Sequence, residues 1–261
     1  GGHESDDRML SGFPLFHVGG TIAVGLAALQ VGSAVVMAST LGARHPDFLP
    51  SIWSIVERQR ITALGMVPTL LSMMTTIPVG DHDISSLRSL NTGGAKTPED
   101  VIRQVEAQAK VQLHDLYGMT EVAAAATTDM RGQSVLGSAG KPLPGVQIAV
   151  GSPDAPLAQG DVGEVHIKGP GNFNGYLGQD DAEDGPPVEW VATGDLGYLS
   201  DTGHLFITGR SKDLIIRSGH NIDPSVIEEV AQTHPSVALA AAVAYPDDYA
   251  GEIPALFVEL K

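Results

Sequence analysis

The segment that most narrows the possible folds is LHDLYGMTEV, Leu113 to Val122. It begins as an apolar strand end and continues as Tyr-Gly-x-Thr-Glu, Tyr117 to Glu121. A strand that runs into a glycine turn and then a helix belongs to an alternating α/β layout. The same short stretch gathers a flat aromatic ring, a glycine that lets backbone come close, a hydroxyl and a carboxylate. Those groups suit a nucleotide and a metal ion.

The surrounding pattern agrees with that layout. Up to about residue 135, short apolar runs alternate with helical periodicity, as in Ala34 to Met37, Phe48 to Arg60, Thr62 to Met66 and Pro68 to Met74. The longest apolar run, Thr21 to Ala38, is broken by Gln30, Gly32 and Ser33 and has no basic flank, so it reads as a buried helix ending at Gly32 and then a strand rather than a membrane span. A further helix is expected with Thr97 as N-cap, Pro98 at its first position and Asp100 as acidic capping partner. From 136 to 211, glycine and proline punctuate brief alternating segments such as Val146 to Val150 and Gly163 to Lys168, which predicts a small β-rich, barrel-like subdomain. The acidic stretch Gln179 to Pro187 reads as a solvated loop. After 212 come a strand-like Asp213 to Arg217, a helix capped by Asp223 with Pro224 behind it, and strand-like Val237 to Ala244 and Leu256 to Leu260. The expectation is an α/β subdomain over 1–135, a β-rich subdomain over 136–211, and the start of a small α+β domain over 212–261.

Composition removes several function classes. A formal charge of -16 repels phosphate backbones and anionic lipid surfaces, so nucleic acid is excluded as a partner. The chain has no cysteine, which rules out disulfides, thiolate metal sites and a cysteine nucleophile. Its nine histidines show no zinc-ligand spacing. No charged-then-apolar leader is visible, and a cytoplasmic location is expected.

Four other segments stand in a fixed order around the tyrosine motif: PLFH at Pro14 to His17, LNTGGA at Leu90 to Ala95, GEVHIKGPGNFNGYLG from Gly163, and ATGDLGYLSDTGHLFITGRSKDLIIRSGHNIDPSVIEE from Ala192. Together the five resemble the adenylate-forming superfamily, and within it the AMP-forming acyl-CoA synthetases that act on fatty and aryl acids. The resemblance runs from near residue 10 to the last residue.

What the resemblance implies can be carried over residue by residue. Tyr117 stacks on adenine, Gly118 and Met119 complete the nucleotide contact, Thr120 meets the α-phosphate, and Glu121 helps hold magnesium, which favours one or two carboxylates plus phosphate oxygens. Gly93, Gly94 and Ala95 line adenine on one side and the acyl pocket on the other; Lys96 departs from the small or proline residue expected next. Asp195 spans the ribose hydroxyls with its two acceptor oxygens, and Arg210 bonds the ribose and compensates phosphate charge. His17 gates the acyl site, and because it cannot pair a substrate ammonium at neutral pH, an acid without an α-amino group is implied. Lys212 matches the hinge about which the small domain turns between half-reactions, and Gly219 the glycine that lines the thiol channel.

The implied reaction forms acyl-AMP from ATP and a carboxylic acid, releasing pyrophosphate, and then passes the acyl group to the thiol of coenzyme A. Loading of a carrier-protein thiol and a non-catalytic adenylate-binding module are the alternatives. Two parts the resemblance leads one to expect, a phosphate loop with a lysine upstream of Pro14 and a lysine late in the small domain, are not in this sequence. It is therefore expected to be a piece of a longer enzyme and not competent alone. Which acid is used and the oligomeric state are left open.

Overall fold

The computed structural model describes residues 3–177, 186–247 and 249–261. Most of the acidic stretch expected to be a solvated loop lies outside the described residues.

Seven strands form the first sheet: β1 (Arg8–Ser11), β2 (Ala34–Val36), β3 (Ala63–Gly65), β4 (Ser89–Gly93), β5 (Leu113–Tyr117), β6 (Thr127–Thr128) and β7 (Lys141–Pro142), in the order β2-β1-β3-β4-β5-β6-β7. The pairings from β2 to β5 are parallel, and β6 and β7 add on antiparallel. Parallel strands need crossovers. These are supplied by α1 (Ala27–Val31), α2 (Ile52–Gln59), α3 (Pro68–Thr75) and α4 (Glu99–Ala109).

Side-chain alternation sends the two faces of this sheet to different cores. Leu10, Leu64, Leu90 and Leu113 point to one side, where Trp53, Val56, Leu71, Met74 and Val105 from the three longer helices bury against them. Met9 and Ala63 point to the other, against Val24 and Ala28. The helical stretch from Gly19 ends at Gly32 in the left-handed conformation, and the strand follows where the sequence put it. Two details differ from expectation. Its first half, Gly19–Leu26, is wound as a π-helix, and its outer face is not buried, since Leu26 and Leu29 are 54% and 71% exposed. The N-terminus of α4 differs too. Thr97 does not cap it: the hydroxyl is buried opposite that of Thr92, 3.3 Å away, and the cap position falls on Pro98 with no side-chain hydrogen bond.

The β-rich region is a five-stranded sheet with β8 (Gln147–Ser152), β9 (Ala155–Pro156), β10 (Gly163–Lys168), β11 (Val191–Leu199) and β12 (Leu205–Arg210) in the order β12-β11-β10-β8-β9, so β12 and β9 are its edges. The last sheet, order β14-β13-β16-β15, holds β13 (Ile215–Arg217), β14 (His220–Ile222), β15 (Val237–Asp247) and β16 (Gly251–Leu260), with α5 (Pro224–Gln232) before β15. Asp223 caps α5 as the sequence predicts, its Oδ1 accepting the Ser225 N–H at 2.9 Å. The chain divides into two compact units, 1–148 with 167–191 and 202–206, and 149–166 with 192–201 and 207–261. Among the described residues, no helix is long and apolar enough to cross a membrane.

A buried charge network closes the N-terminal end of the parallel strands. The Asp7 carboxylate, 1% exposed, accepts from Thr62 Oγ1 at 2.6 Å, Arg88 at 2.6 Å and Arg131 at 2.9 Å. Burial alone would push this carboxyl up, but the bonds from Thr62, the Glu4 backbone and Arg131 outweigh it and bring the pKa down to about 2. His114 in β5 is the opposite case. It is 1% exposed, neither ring nitrogen has a hydrogen-bond partner, and burial drives its pKa down to about 4.

The two groups act in different pH windows. Stability tied to Asp7 is present above its unfolded value near 3.8 and fades as pH drops toward about 2. Stability tied to neutral His114 starts to fade at the unfolded value of 6.5 and is fully lost near 4. His114→Leu is therefore expected to flatten the pH dependence between those two values, removing a loss of up to about 3 kcal/mol. Urea unfolding of both proteins across this range checks it; parallel curves would show that His114 is not the acid-sensitive group.

Candidate active site

The register of β4 on β5 builds the first half of the site. Gly93 pairs with Leu116, so the glycine loop 93–95 and the tyrosine motif leave the carboxyl end of the sheet side by side. Crevices outside that end are where open α/β sheets bind ligands. A Cβ on Gly93 would lie 2.6 Å from the Leu116 carbonyl oxygen, which is why only glycine fits there.

The tyrosine motif does not continue into a long helix. Thr120–Val122 forms a single 3-10 turn, after which Ala123 and Ala124 both take positive φ, 57° and 91°. Two such alanines cost on the order of 1–3 kcal/mol each. The reversal is held by hydrogen bonds from Ala124 N–H to the Met119 carbonyl, 3.1 Å, and from Ala126 N–H to the Tyr117 carbonyl, 2.8 Å. It folds back so closely that a Cβ on Gly118 would come within 2.1 Å of the Ala124 carbonyl oxygen. The outcome is a rigid loop on which Tyr117 and Met119 pack against a core of Val122, Ala126, Ile167 and Val191, with Thr120 exposed.

Glu121 is half-buried, and its Oε1 accepts the hydroxyl of Tyr176 at 2.7 Å. Tyr176 was not singled out by the sequence reading, although it lies in the block from Gly163 that carried the resemblance. Among the described residues no group of three or more His, Asp or Glu side chains is placed to hold a metal ion alone. A lone carboxylate such as Glu121 suits a magnesium ion that arrives on nucleotide phosphates rather than one caged by protein.

Asp115 is a second residue missed from sequence. It sits two positions before Tyr117 and lines a cavity of about 130 Å³ with Ile102, Glu106, Ser134, Leu136 and Ser138. Burial raises its carboxyl to about 7 against the pull of the Leu116 N–H. The signal was available, since a carboxylate inside an apolar strand must lose water when the strand packs.

His17 opens the helical stretch. It is exposed, and its Nδ1 accepts the Gly19 N–H at 3.0 Å, satisfying one of the donors a helix start leaves unpaired.

In the second unit, Thr193 Oγ1 donates to the Val165 carbonyl at 2.7 Å and accepts from the Asp195 N–H at 3.0 Å, fixing the part of β11 that presents Asp195, which is a strand rather than the turn expected from Thr-Gly-Asp. Arg210, the last residue of β12, reaches Asp195 Oδ1 through Nε at 3.0 Å. The two residues predicted to share the ribose are thus brought together. Lys212 is exposed in the 3-10 turn Ser211–Asp213. Gly219 and Ser218 form the tip of the β13–β14 hairpin with φ of 80° and 49°, the pair of positive values a two-residue turn of this twist requires.

A family model for AMP-binding enzymes matches residues 1–177. The chain belongs to this family. It is 36% identical over 259 residues to marinolic acid–CoA ligase of Pseudoalteromonas sp. (strain SANK 73390), covering 96% of this chain and 40% of that protein. It is also 36% identical over 259 residues to indoleacetate–CoA ligase of Aromatoleum aromaticum, covering 95% and 48%. Among solved structures, ATP-bound MatB from Rhodopseudomonas palustris superposes with a TM-score of 0.85 at 28% identity, over 98% of this chain and 50% of that one. O-succinylbenzoate coenzyme A synthetase from Bacillus subtilis in complex with ATP and magnesium ion gives 0.80 at 28% identity, over 100% and 53%. This family member therefore spans about half the length of the relatives it matches.

The raised carboxyl of Asp115 gives a direct test of burial at the strand that leads into the tyrosine motif. Its neutral form is favoured in the folded chain, so the penalty builds as pH rises from 3.8 through about 7 and is constant above. Asp115→Asn is expected to stabilise the protein by roughly 2–4 kcal/mol at pH 8 and to leave it unchanged at pH 3.5. Thermal melting at both values decides; equal effects at the two pH values would mean the carboxyl is solvated.

Proposed function

We propose that the protein of which this chain is a part is an AMP-forming acid–CoA ligase. Its carboxylic-acid substrate attacks the α-phosphorus of ATP through a carboxylate oxygen, pyrophosphate leaves, and the thiol of coenzyme A then displaces AMP from the acyl carbon. The observation that carries this reading is the β4–β5 register, which sets the glycine loop beside the tyrosine motif at the carboxyl end of the sheet.

In this reading Tyr117, Gly118 and Met119 hold the adenine with Gly93, Gly94 and Ala95. Thr120 meets the α-phosphate, and Asp195 and Arg210 take the ribose. Glu121 would hold magnesium, which supplies neutralisation of phosphate charge when bound. His17 stands at the acyl pocket, Lys212 at the hinge and Gly219 on the path of the thiol, with domains meeting near 135 and 211. The thiol of coenzyme A is favoured over that of a carrier protein because the relatives are named as CoA ligases. The cytoplasm, where ATP and coenzyme A are at hand, is the matching location.

Pyrophosphate exchange into ATP by the full-length protein, across acids of different lengths without an α-amino group, tests the reaction. Exchange that requires both magnesium and an acid is expected, and none with any acid would end the ligase reading. Asp195→Ala should weaken ATP binding by about 2–3 kcal/mol through lost hydrogen bonds to a charged acceptor. Calorimetry that returned unchanged affinity would leave Asp195 as a structural residue of β11.

A further inference from the structure

Residues 171 to 176 are fixed against the Glu121 turn by contacts of several kinds. The Asn172 side chain is buried and its amide donates to the Ile167 carbonyl at 3.1 Å and the Val188 carbonyl at 2.9 Å. Gly171 runs so near the turn that a Cβ there would lie 2.8 Å from the Val122 carbonyl oxygen. The Phe173 N–H donates to the backbone carbonyl of Glu121 itself at 2.8 Å, and the Phe173 ring packs in the same core as Tyr117. The Tyr176 ring stands edge-on to Phe173, centroids 4.9 Å apart at 72°. Backbone and aromatic packing thus aim one hydroxyl at one carboxylate oxygen, Oε1, 2.7 Å away.

That hydroxyl has little to do for the fold. Tyr176 is 52% exposed, and water could replace its bond to Glu121. Its effect is on the carboxylate, which would otherwise turn freely about its last bonds. Held by Oε1, Glu121 keeps one orientation and leaves Oε2 to an incoming cation. Partners of this sort, which do not touch the metal but orient its ligand, commonly change metal affinity by tenfold or more.

We infer that Tyr176 is the positioning residue for the magnesium-binding carboxylate Glu121, acting through its hydroxyl. The inference rests on the proposed function above, specifically on Glu121 as the protein's ligand for the metal that accompanies ATP.

The test is ATP binding by the full-length protein, measured by calorimetry with excess magnesium and again with EDTA, together with melting temperatures without ligand. In the wild type, magnesium should strengthen ATP binding. Tyr176→Phe, which keeps the ring and loses the hydroxyl, should reduce that strengthening about tenfold while leaving affinity in EDTA and the melting temperature unchanged. Glu121→Gln should abolish it, and adding Tyr176→Phe to Glu121→Gln should change nothing further. Full magnesium strengthening in Tyr176→Phe would overturn the inference. So would equal weakening with magnesium and with EDTA, the mark of a purely structural role. Wild-type protein that binds ATP equally with and without magnesium would instead remove Glu121 from the metal site, and the positioning role with it.

Discussion

The close approach of β4 to β5 at their carboxyl ends is the constraint from which the first half of the site follows. Gly93 meets the Leu116 carbonyl where any side chain would collide, so β4 stays paired to its last residue and the two strands release their loops side by side. Two positions after Leu116, the chain turns back on itself through Gly118 and the left-handed pair Ala123 and Ala124. Strain at those alanines is tolerated because Ala126 is buried and the loop is closed by its own backbone hydrogen bonds. A rigid loop of this kind presents Tyr117, Thr120 and Glu121 without a long helix behind them.

Buried ionisable groups are sorted along the parallel strands by whether they have partners. At the amino end, Asp7 is satisfied by Thr62, Arg88 and Arg131 and remains charged. Within β5, His114 and Asp115 are adjacent and face opposite sides of the sheet, one without hydrogen bonds at either ring nitrogen and the other raised by burial. The paired charges anchor the sheet, whereas the poorly compensated ones lie next to the tyrosine motif. Perturbed groups gather near sites more often than elsewhere, and this placement agrees with that tendency.

Much of the architecture was legible in the sequence because local chemistry and packing pointed the same way. Asp223 followed by Pro224 caps α5 since its Oδ1 accepts both the N–H and the hydroxyl of Ser225, and proline suits the first turn. Thr97 followed by Pro98 carries a similar signal, yet Thr97 lies against Thr92 in the buried interior and its hydroxyl is spent there. The difference is burial, which no short motif reports. The same holds for the helical stretch from Gly19, whose apolar composition implied a buried rod while half of its face is exposed.

The sequence by itself determined the family, the α/β alternation and the residue types available for binding a nucleotide, because five ordered motifs and their spacing are properties of the chain alone. Tertiary structure alone decided that Tyr176 meets Glu121 across fifty-five positions and that Asp115 lines a cavity. Those placements depend on where separate strands end and which side chains lose water, and both are set by packing between segments distant in sequence.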